Sequence, residues 1–288
     1  MSFLTEWLTD WLKEILISGI IGNLSGLFEN VNSQVTDIAH TVGMTPGAFN
    51  PGVFSLIESL SESIILPIAG LVLTFVMTSE LISLVVSSNN LHHIDTWIFF
   101  KWISKTVVAV VILSNTFSIV KAIFEVAEHI IGGAAGVIVA NTGVDTGMME
   151  VLAAQLDSYA IGPLLGIWLQ SFLINTIVYA VNIIIFIIVY SRMIEIYLMT
   201  SLAPIPMSTI TVRSAANLGN NYMKSLFAIG FQGFLIMVCI AIYALLVQSI
   251  ATSTDPMMAI WVSLGYTILL CFTLLKTGSV SKSIFSTH

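Results

Sequence analysis

The sequence predicts an all-α protein: a polytopic membrane helical bundle of about five transmembrane helices, N-terminus out and C-terminus in, with amphipathic extracytoplasmic helices. Three observations lead there. No charged residue occurs between Asp157 and Arg192, so positions 158–191 form one uncharged, mostly apolar run. A helix rises about 1.5 Å per residue and a bilayer core needs roughly 20 residues, so this run exceeds a single crossing. Hydrophobic residues make up 57% of the chain and charged residues 9%, against about 25% charged in soluble domains. The few cations, finally, gather on one side of any five-span arrangement.

Five stretches fit crossings: 63–86, 98–120, a segment within 161–190, 225–248 and 257–275. Lys101 and Lys105 stand in the first turns of the second, where long basic side chains reach the interface. With the N-terminus outside, Lys101, Lys105, Arg192, Arg213, Lys224, Lys276 and Lys282 fall at the inner face, and only Lys13 and Lys121 fall outside. Lys and Arg prefer the cytoplasmic side, so this orientation is the expected one. The organisation that follows is an extracytoplasmic amphipathic region (1–62), a transmembrane hairpin (63–120) and an extracytoplasmic segment (121–160). Three further transmembrane helices with a cytoplasmic loop at 191–224 occupy 161–276, and 277–288 is a cytoplasmic tail.

Residues 3–16 read as an amphipathic helix, with Leu4, Trp7, Leu8, Trp11, Leu12, Ile15 and Leu16 on one face and Glu6, Asp10, Lys13 and Glu14 on the other. A second stripe continues through Ile17, Ile20, Ile21, Leu24, Phe28, Val31, Val35 and Ile38. Such helices either lie in the membrane surface or pack on partner subunits. Gly22 and Gly26 are either a point of close helix approach or a flexible break. Met44 to Gly52, Met-Thr-Pro-Gly-Ala-Phe-Asn-Pro-Gly, is a turn cluster. The segment 121–160 reads as two short helices joined at Asn141-Thr142-Gly143, and its Gly-rich part, 130–140, either dips into the outer leaflet or packs against neighbours.

Composition excludes several functions. The net charge of −7 argues against a sequence-independent grip on nucleic acid, which needs clustered Lys and Arg. Cys239 and Cys271 lie inside apolar runs and read as small buried hydrophobes. The N-terminus lacks the basic start and clean apolar core of a cleavable signal peptide. No phosphate-binding loop, nucleophile elbow or metal-ligand spacing occurs, so neither an enzyme nor a cofactor is expected. His92-His93 reads as part of a turn.

Three constellations could carry function. Glu80, Lys101 and Lys105 fall at similar depth in the first hairpin, as an intramembrane ion pair that locks it or as a proton or ion site. Ser171, Asn175, Tyr179 and Asn182 form a polar stripe on the third span, for helix contact or for lining a channel. Arg192, Glu195, Pro204, Pro206, Arg213 and Lys224 mark the most basic inner stretch, a docking loop for a cytoplasmic partner or a plain connector. Within it, the prolines of Leu202-Ala203-Pro204-Ile205-Pro206 must end the preceding helix.

The chain resembles the TrbL-like polytopic subunits of conjugative type IV secretion systems, in the branch carried by Gram-positive integrative conjugative elements. The resemblance rests on Phe3-Leu4-Thr5-Glu6-Trp7-Leu8, Asn23-Leu24-Ser25-Gly26, Ile65-Leu66-Pro67-Ile68-Ala69-Gly70, Leu73-Thr74-Phe75-Val76-Met77-Thr78 and Asp95-Thr96-Trp97-Ile98-Phe99-Phe100-Lys101-Trp102. It rests also on Arg192-Met193-Ile194-Glu195-Ile196-Tyr197, continuing through Ala203-Pro204-Ile205-Pro206. The blocks are specific as a set and cover nearly the whole chain. What the resemblance implies is a channel or scaffold subunit in a bacterial cytoplasmic membrane. It implies homo-oligomers, contact with lipid and with other secretion subunits including a cytoplasmic ATPase, and transient contact with a relaxase carrying single-stranded DNA. The alternative class is a stand-alone small-solute transporter or a pore-forming protein.

Overall fold

The computed structural model describes residues 2–87, 96–141, 148–213, 215–250 and 256–286, and every regular element among them is helical. His92, His93, Asp95 and the Thr142-Gly143 join lie outside the described residues. In chain order the helices are α1 (Ser2–Val42), α2 (Pro46–Phe49), α3 (Pro51–Leu60), a π-helical turn (Ser61–Ile65), α4 (Leu66–Ser87), α5 (Thr96–Ser114) and α6 (Thr116–Asn141). Then come α7 (Met148–Asp157), α8 (Ile161–Leu202), α9 (Pro204–Met207), α10 (Ala216–Ile250) and α11 (Pro256–Ile284). Among the described residues, five helical stretches are long and apolar enough to cross a membrane: Pro51–Val86, Thr96–Ser114, Ile161–Leu202, Ala216–Ser249 and Trp261–Ile284. The all-α class and the five apolar helices expected from sequence are therefore present.

Local chemistry sets the boundaries. Thr45 Oγ1 accepts from the Ala48 amide at 3.1 Å and Asn50 Oδ1 from the Val53 amide at 3.0 Å, with Pro46 and Pro51 at the first helical positions. The turn cluster is thus two capped helix starts in succession. Pro67 has no amide to give the preceding turn, and just before it the Leu66 amide reaches back five residues to the Ser61 carbonyl. The helix widens into a π turn there and continues. The chain that reads as a second span ending near 120 is broken earlier: α5 stops at Ser114 and α6 starts at Thr116, with the Asn115 side chain donating to the Val111 carbonyl at 2.8 Å. The stretch 191–224 is mostly helical. Nothing in 191–202 breaks α8, which runs on to Leu202 and stops one residue before Ala203-Pro204, and α10 begins at Ala216.

The chain divides into two compact units. The first comprises 1–43, 131–189 and 235–277. Its core is built by Leu16, Ile20, Leu24 and Leu27 of α1, Leu156 of α7, Leu164, Ile167, Ile174 and Val178 of α8, and Leu264 of α11. Gly19 lets α1 approach α8 closely, since a Cβ there would lie 2.5 Å from Trp168 Nε1. Of the second stripe read from the sequence, Ile20, Leu24, Val35 and Ile38 are buried, whereas Trp7, Leu8, Trp11, Leu12 and Ile15 of the first stripe are exposed. In the same unit the Tyr243 hydroxyl lies 3.0 Å from Thr267 Oγ1, whose own proton goes to the Ser263 carbonyl.

The second unit comprises 44–130, 190–234 and 278–288. One cluster joins Val120 and Phe124 of α6 to Met193, Ile196 and Tyr197 of α8 and to Leu226 and Ile229 of α10. Another joins Ala69, Leu73 and Met77 of α4 to Ala109 and Leu113 of α5 and to Val212, with Ile205 of α9 packed against it. The outer faces are strongly apolar: Leu71 is 74% and Phe75 76% exposed, which suits lipid as the surrounding solvent.

Gly219 marks a close backbone approach in this unit. A Cβ there would meet the Pro206 carbonyl oxygen at 2.8 Å and Ile210 Cα at 2.9 Å. Gly219→Ala is expected to cost about 1–3 kcal/mol through overpacking against backbone. Gly162→Ala, with nothing within 4 Å, should stay within about 0.5 kcal/mol of the parent. Thermal unfolding of the two variants in detergent checks the contrast.

Candidate functional site

In the first hairpin, α4 and α5 pack together through Ala69, Leu73 and Met77 on one helix and Ala109 and Leu113 on the other. Trp102 Nε1 donates to the Met77 carbonyl at 3.0 Å, fixing their register. One turn further along α5, Lys105 Nζ donates to Glu80 Oε1. Glu80 Oε2 is buried without a hydrogen-bond partner. Lys101 is exposed and takes no part in this pair. The carboxylate is 13% and the ammonium 31% exposed, so the pair sits at the rim of the helix contact with one edge accessible.

The polar stripe of α8 divides. Asn23 Nδ2 donates to Ser171 Oγ at 2.9 Å, and Ser171 in turn donates to the Trp168 carbonyl at 2.9 Å. Asn182 accepts from Gln34 Nε2 and donates to Asn30 Oδ1 at 2.9 Å. Ser171 and Asn182 therefore hold α1. Asn175 is half-buried and its Oδ1 has no hydrogen-bond partner. Tyr179 is 56% exposed and faces away from this contact. Asn23, Asn30 and Gln34 are the partners that reading the sequence missed. Their signal was available: positions 23 and 34 are spaced as 171 and 182 are, by eleven residues, which is three helical turns.

The direction of this contact is informative. Lys13 Nζ donates to the Asp157 carbonyl at 3.2 Å, Asn23 meets Ser171, and Gln34 meets Asn182. Both numbers rise together, so α1 runs parallel to α8 along that helix's uncharged run. Near Lys13 and Asp157 lies a cavity of about 690 Å³ lined by Asp10, Glu14, Ser18 and Ala153 among others.

The residues of the inner stretch do not form one patch. Arg192 is only 5% exposed and turns into the protein, with Nε 3.3 Å from the Ile229 carbonyl and Nη2 3.4 Å from that of Gly230. Glu195 pairs with Lys282 of α11 at 3.0 Å. Pro204 is buried and Pro206 half-buried in the α9 turn. Arg213 and Lys224 are exposed. Two tyrosines hold this region together: Tyr197 donates to the Pro46 carbonyl at 2.7 Å and Tyr222 to that of Met199 at 2.9 Å. Arg192 and Pro204 are thus structural supports, and the accessible basic groups are Arg213 and Lys224. Cys239 and Cys271 are free thiols. Among the described residues no three His, Cys, Asp or Glu side chains converge as a metal site would.

Two outcomes are expected of these contacts. Glu80→Gln and Lys105→Met should each destabilise, and the double variant should recover part of the loss. The coupling should be about 1 kcal/mol in a double-mutant cycle read by detergent unfolding. Asn182→Leu should weaken α1 docking by about 1 kcal/mol, the scale of interhelical hydrogen bonds in membranes. It should raise proteolysis within α1 before global unfolding.

A family model described as TrbL/VirB6 plasmid conjugal transfer like protein matches residues 31–204 of this chain. That range runs from the last third of α1 to the first proline after α8. No curated protein and no solved structure matches the chain.

Proposed function

The chain belongs to the TrbL/VirB6 plasmid conjugal transfer family, and on that premise we propose that it is the channel or scaffold subunit of a conjugative type IV secretion system. Family membership makes it a conjugal-transfer component, and its five apolar helices make it a multi-pass membrane protein. The finer reading is that it sits in a bacterial cytoplasmic membrane, N-terminus out and C-terminus in. There it assembles with copies of itself and with other secretion subunits, and assists passage of relaxase-bound single-stranded DNA. Its own role is non-enzymatic, and the driving energy comes from a cytoplasmic ATPase.

The family match carries this reading. Further support comes from the inner stretch, where exposed Arg213 and Lys224 lie on a region braced by Tyr197, Tyr222 and buried Arg192. Exposed cations on a braced stretch suit acidic groups of a cytoplasmic partner. The low count of cations, 9 Lys and Arg in 288 residues, suits a conduit better than a protein that grips DNA.

A second reading, a stand-alone solute transporter, draws on Glu80, whose buried Oε2 lacks a hydrogen bond. An ionisable group within a span is a usual feature of ion-coupled transport. The two readings separate cleanly. Deleting the gene should abolish DNA transfer to recipients, with recovery on complementation, and the tagged protein should co-purify in mild detergent with a membrane-linked ATPase. Arg213→Glu with Lys224→Glu should reduce that co-purification while leaving the protein folded. Substrate uptake by the isolated protein in liposomes, with DNA transfer intact in the deletion strain, would favour the transporter.

A further inference from the structure

One exposed helix face differs in kind from the others. α4, α5 and the free side of α8 present Leu71, Phe75, Phe100, Val107, Phe172 and Ile183 outward. The free side of α1 instead presents Asp10, Glu14, Ser18, Gly22, Glu29, Ser33, Asp37 and His40, all exposed. These positions follow one another at three- or four-residue steps, save for the seven-residue step from Gly22 to Glu29, as an inclined stripe opposite the buried Leu16, Ile20, Leu24, Leu27 and Ile38. Gly22 and Gly26 on this side have nothing within 4 Å of where a Cβ would be.

The depth of that stripe follows from the pairing with α8. The Asn23–Ser171 and Gln34–Asn182 contacts share a separation of 148 residues, so positions 23–34 of α1 lie beside 171–182 of α8. Wherever a crossing of roughly 20 residues falls within 161–190, its counterpart on α1 includes positions 23–32. Glu29 is always among them. A second observation agrees: the segment just after α1 lies beside the segment that continues α8. Pro46 accepts from Tyr197 and the Phe49 ring meets that of Tyr190 at 5.0 Å.

We propose that α1 crosses the membrane beside α8 and that its polar face is the wall of a water-filled, cation-favouring space. Lipid is excluded as the occupant because an exposed carboxylate at that depth would face hydrocarbon unpaired. The stripe carries Asp10, Glu14, Glu29 and Asp37, while the one lysine of α1, Lys13, is turned toward the Asp157 carbonyl. The cavity at Asp10, Glu14 and Ser18 opens at the outer end of this stripe. Only the first turns of α1 then stay outside, in place of the whole of 1–62. Since 161 must lie outside again, α6, 26 residues long, becomes a crossing as well. Lys121 joins the inner cations, and Lys101 and Lys105 pass to the outer half. The proposal goes beyond the secretion reading and does not depend on it, because water access is measured without DNA transfer.

The test uses the full chain in native membranes, with Cys239→Ala and Cys271→Ala as background. Single cysteines replace Ser18, Gly22, Glu29 and Ser33 on the stripe, Phe172 and Ile183 on the apolar face of α8, and Thr9 and Ala48 beyond the two ends of the crossing. Stripe cysteines should react several-fold faster than Phe172→Cys and Ile183→Cys with a membrane-impermeant methanethiosulfonate. Nitroxides on the stripe should be relaxed by a water-soluble nickel chelate, and those on α8 by oxygen. In intact cells an impermeant maleimide should label Thr9→Cys but reach Ala48→Cys only after permeabilisation. Three results would each overturn the proposal. Labelling of Ala48→Cys in intact cells would leave α1 wholly outside. Oxygen rather than nickel access at Glu29→Cys would put lipid on the stripe. Unreactive stripe cysteines, with Gly22→Cys cross-linking between copies, would make the face a dry contact.

Discussion

Asn182 accepts a proton from Gln34 and gives one to Asn30, and much of the first unit is arranged around that double contact. In a hydrocarbon setting apolar surface supplies no drive for helices to associate, because lipid tails are as apolar as leucine. Packing and hydrogen bonds must supply it. α1 shows both. Gly19 brings its backbone onto the Trp168 ring, and Asn23, Asn30 and Gln34 bond across to α8. The result is a polar helix held along an apolar one in fixed register, which neither sequence would achieve alone.

In the second unit the equivalent role falls to chain breaks. Pro204 cannot continue α8, and the α9 turn that follows packs against α4 and α5 through Ile205. Gly219 then passes the Pro206 carbonyl at a distance no side chain would allow. Arg192, charged and almost wholly buried, points its donors at the Ile229 and Gly230 carbonyls. A long, planar donor can serve carbonyls that already accept within their own helix. The basic character legible in this stretch is therefore partly spent inside the protein, and the accessible surface is smaller than a count of cations suggests.

Helical class, apolar helices and the stop at Leu202 were legible because each depends on local chemistry: long uncharged runs and prolines. The Glu80–Lys105 juxtaposition was legible because a charged group within an apolar helix needs a partner of opposite sign, and the neighbouring helix offers few. The break at Asn115 was not, since a lone asparagine in an apolar run carries a weak signal, and the span read through it. The course of α1 was not legible either. Its amphipathic pattern has two stripes, and periodicity alone does not say which one is buried or against what. The buried one is that of Ile20, Leu24, Val35 and Ile38, and the tryptophan-bearing one is exposed at Trp7 and Trp11 and buried only at its end, Leu16. Only the matching eleven-residue spacing of polar groups on α1 and α8 encoded the partner, and that signal is visible only when two distant segments are compared.

The π turn at Ser61–Ile65 carries a consequence for the segments on either side of it. A turn closed over five residues holds one amino acid more than an α-turn, so everything upstream is rotated by about 100° from where an uninterrupted helix would put it. On an uninterrupted helix Val53, Leu56 and Leu60 would fall within about 60° of Leu71, so the extra residue turns their exposed row away from the Leu71 and Phe75 row. A bulge of this kind is how a chain absorbs a single inserted codon without unwinding. Its position immediately ahead of Pro67, where the ladder is already missing a rung, is where such an insertion disturbs the backbone least.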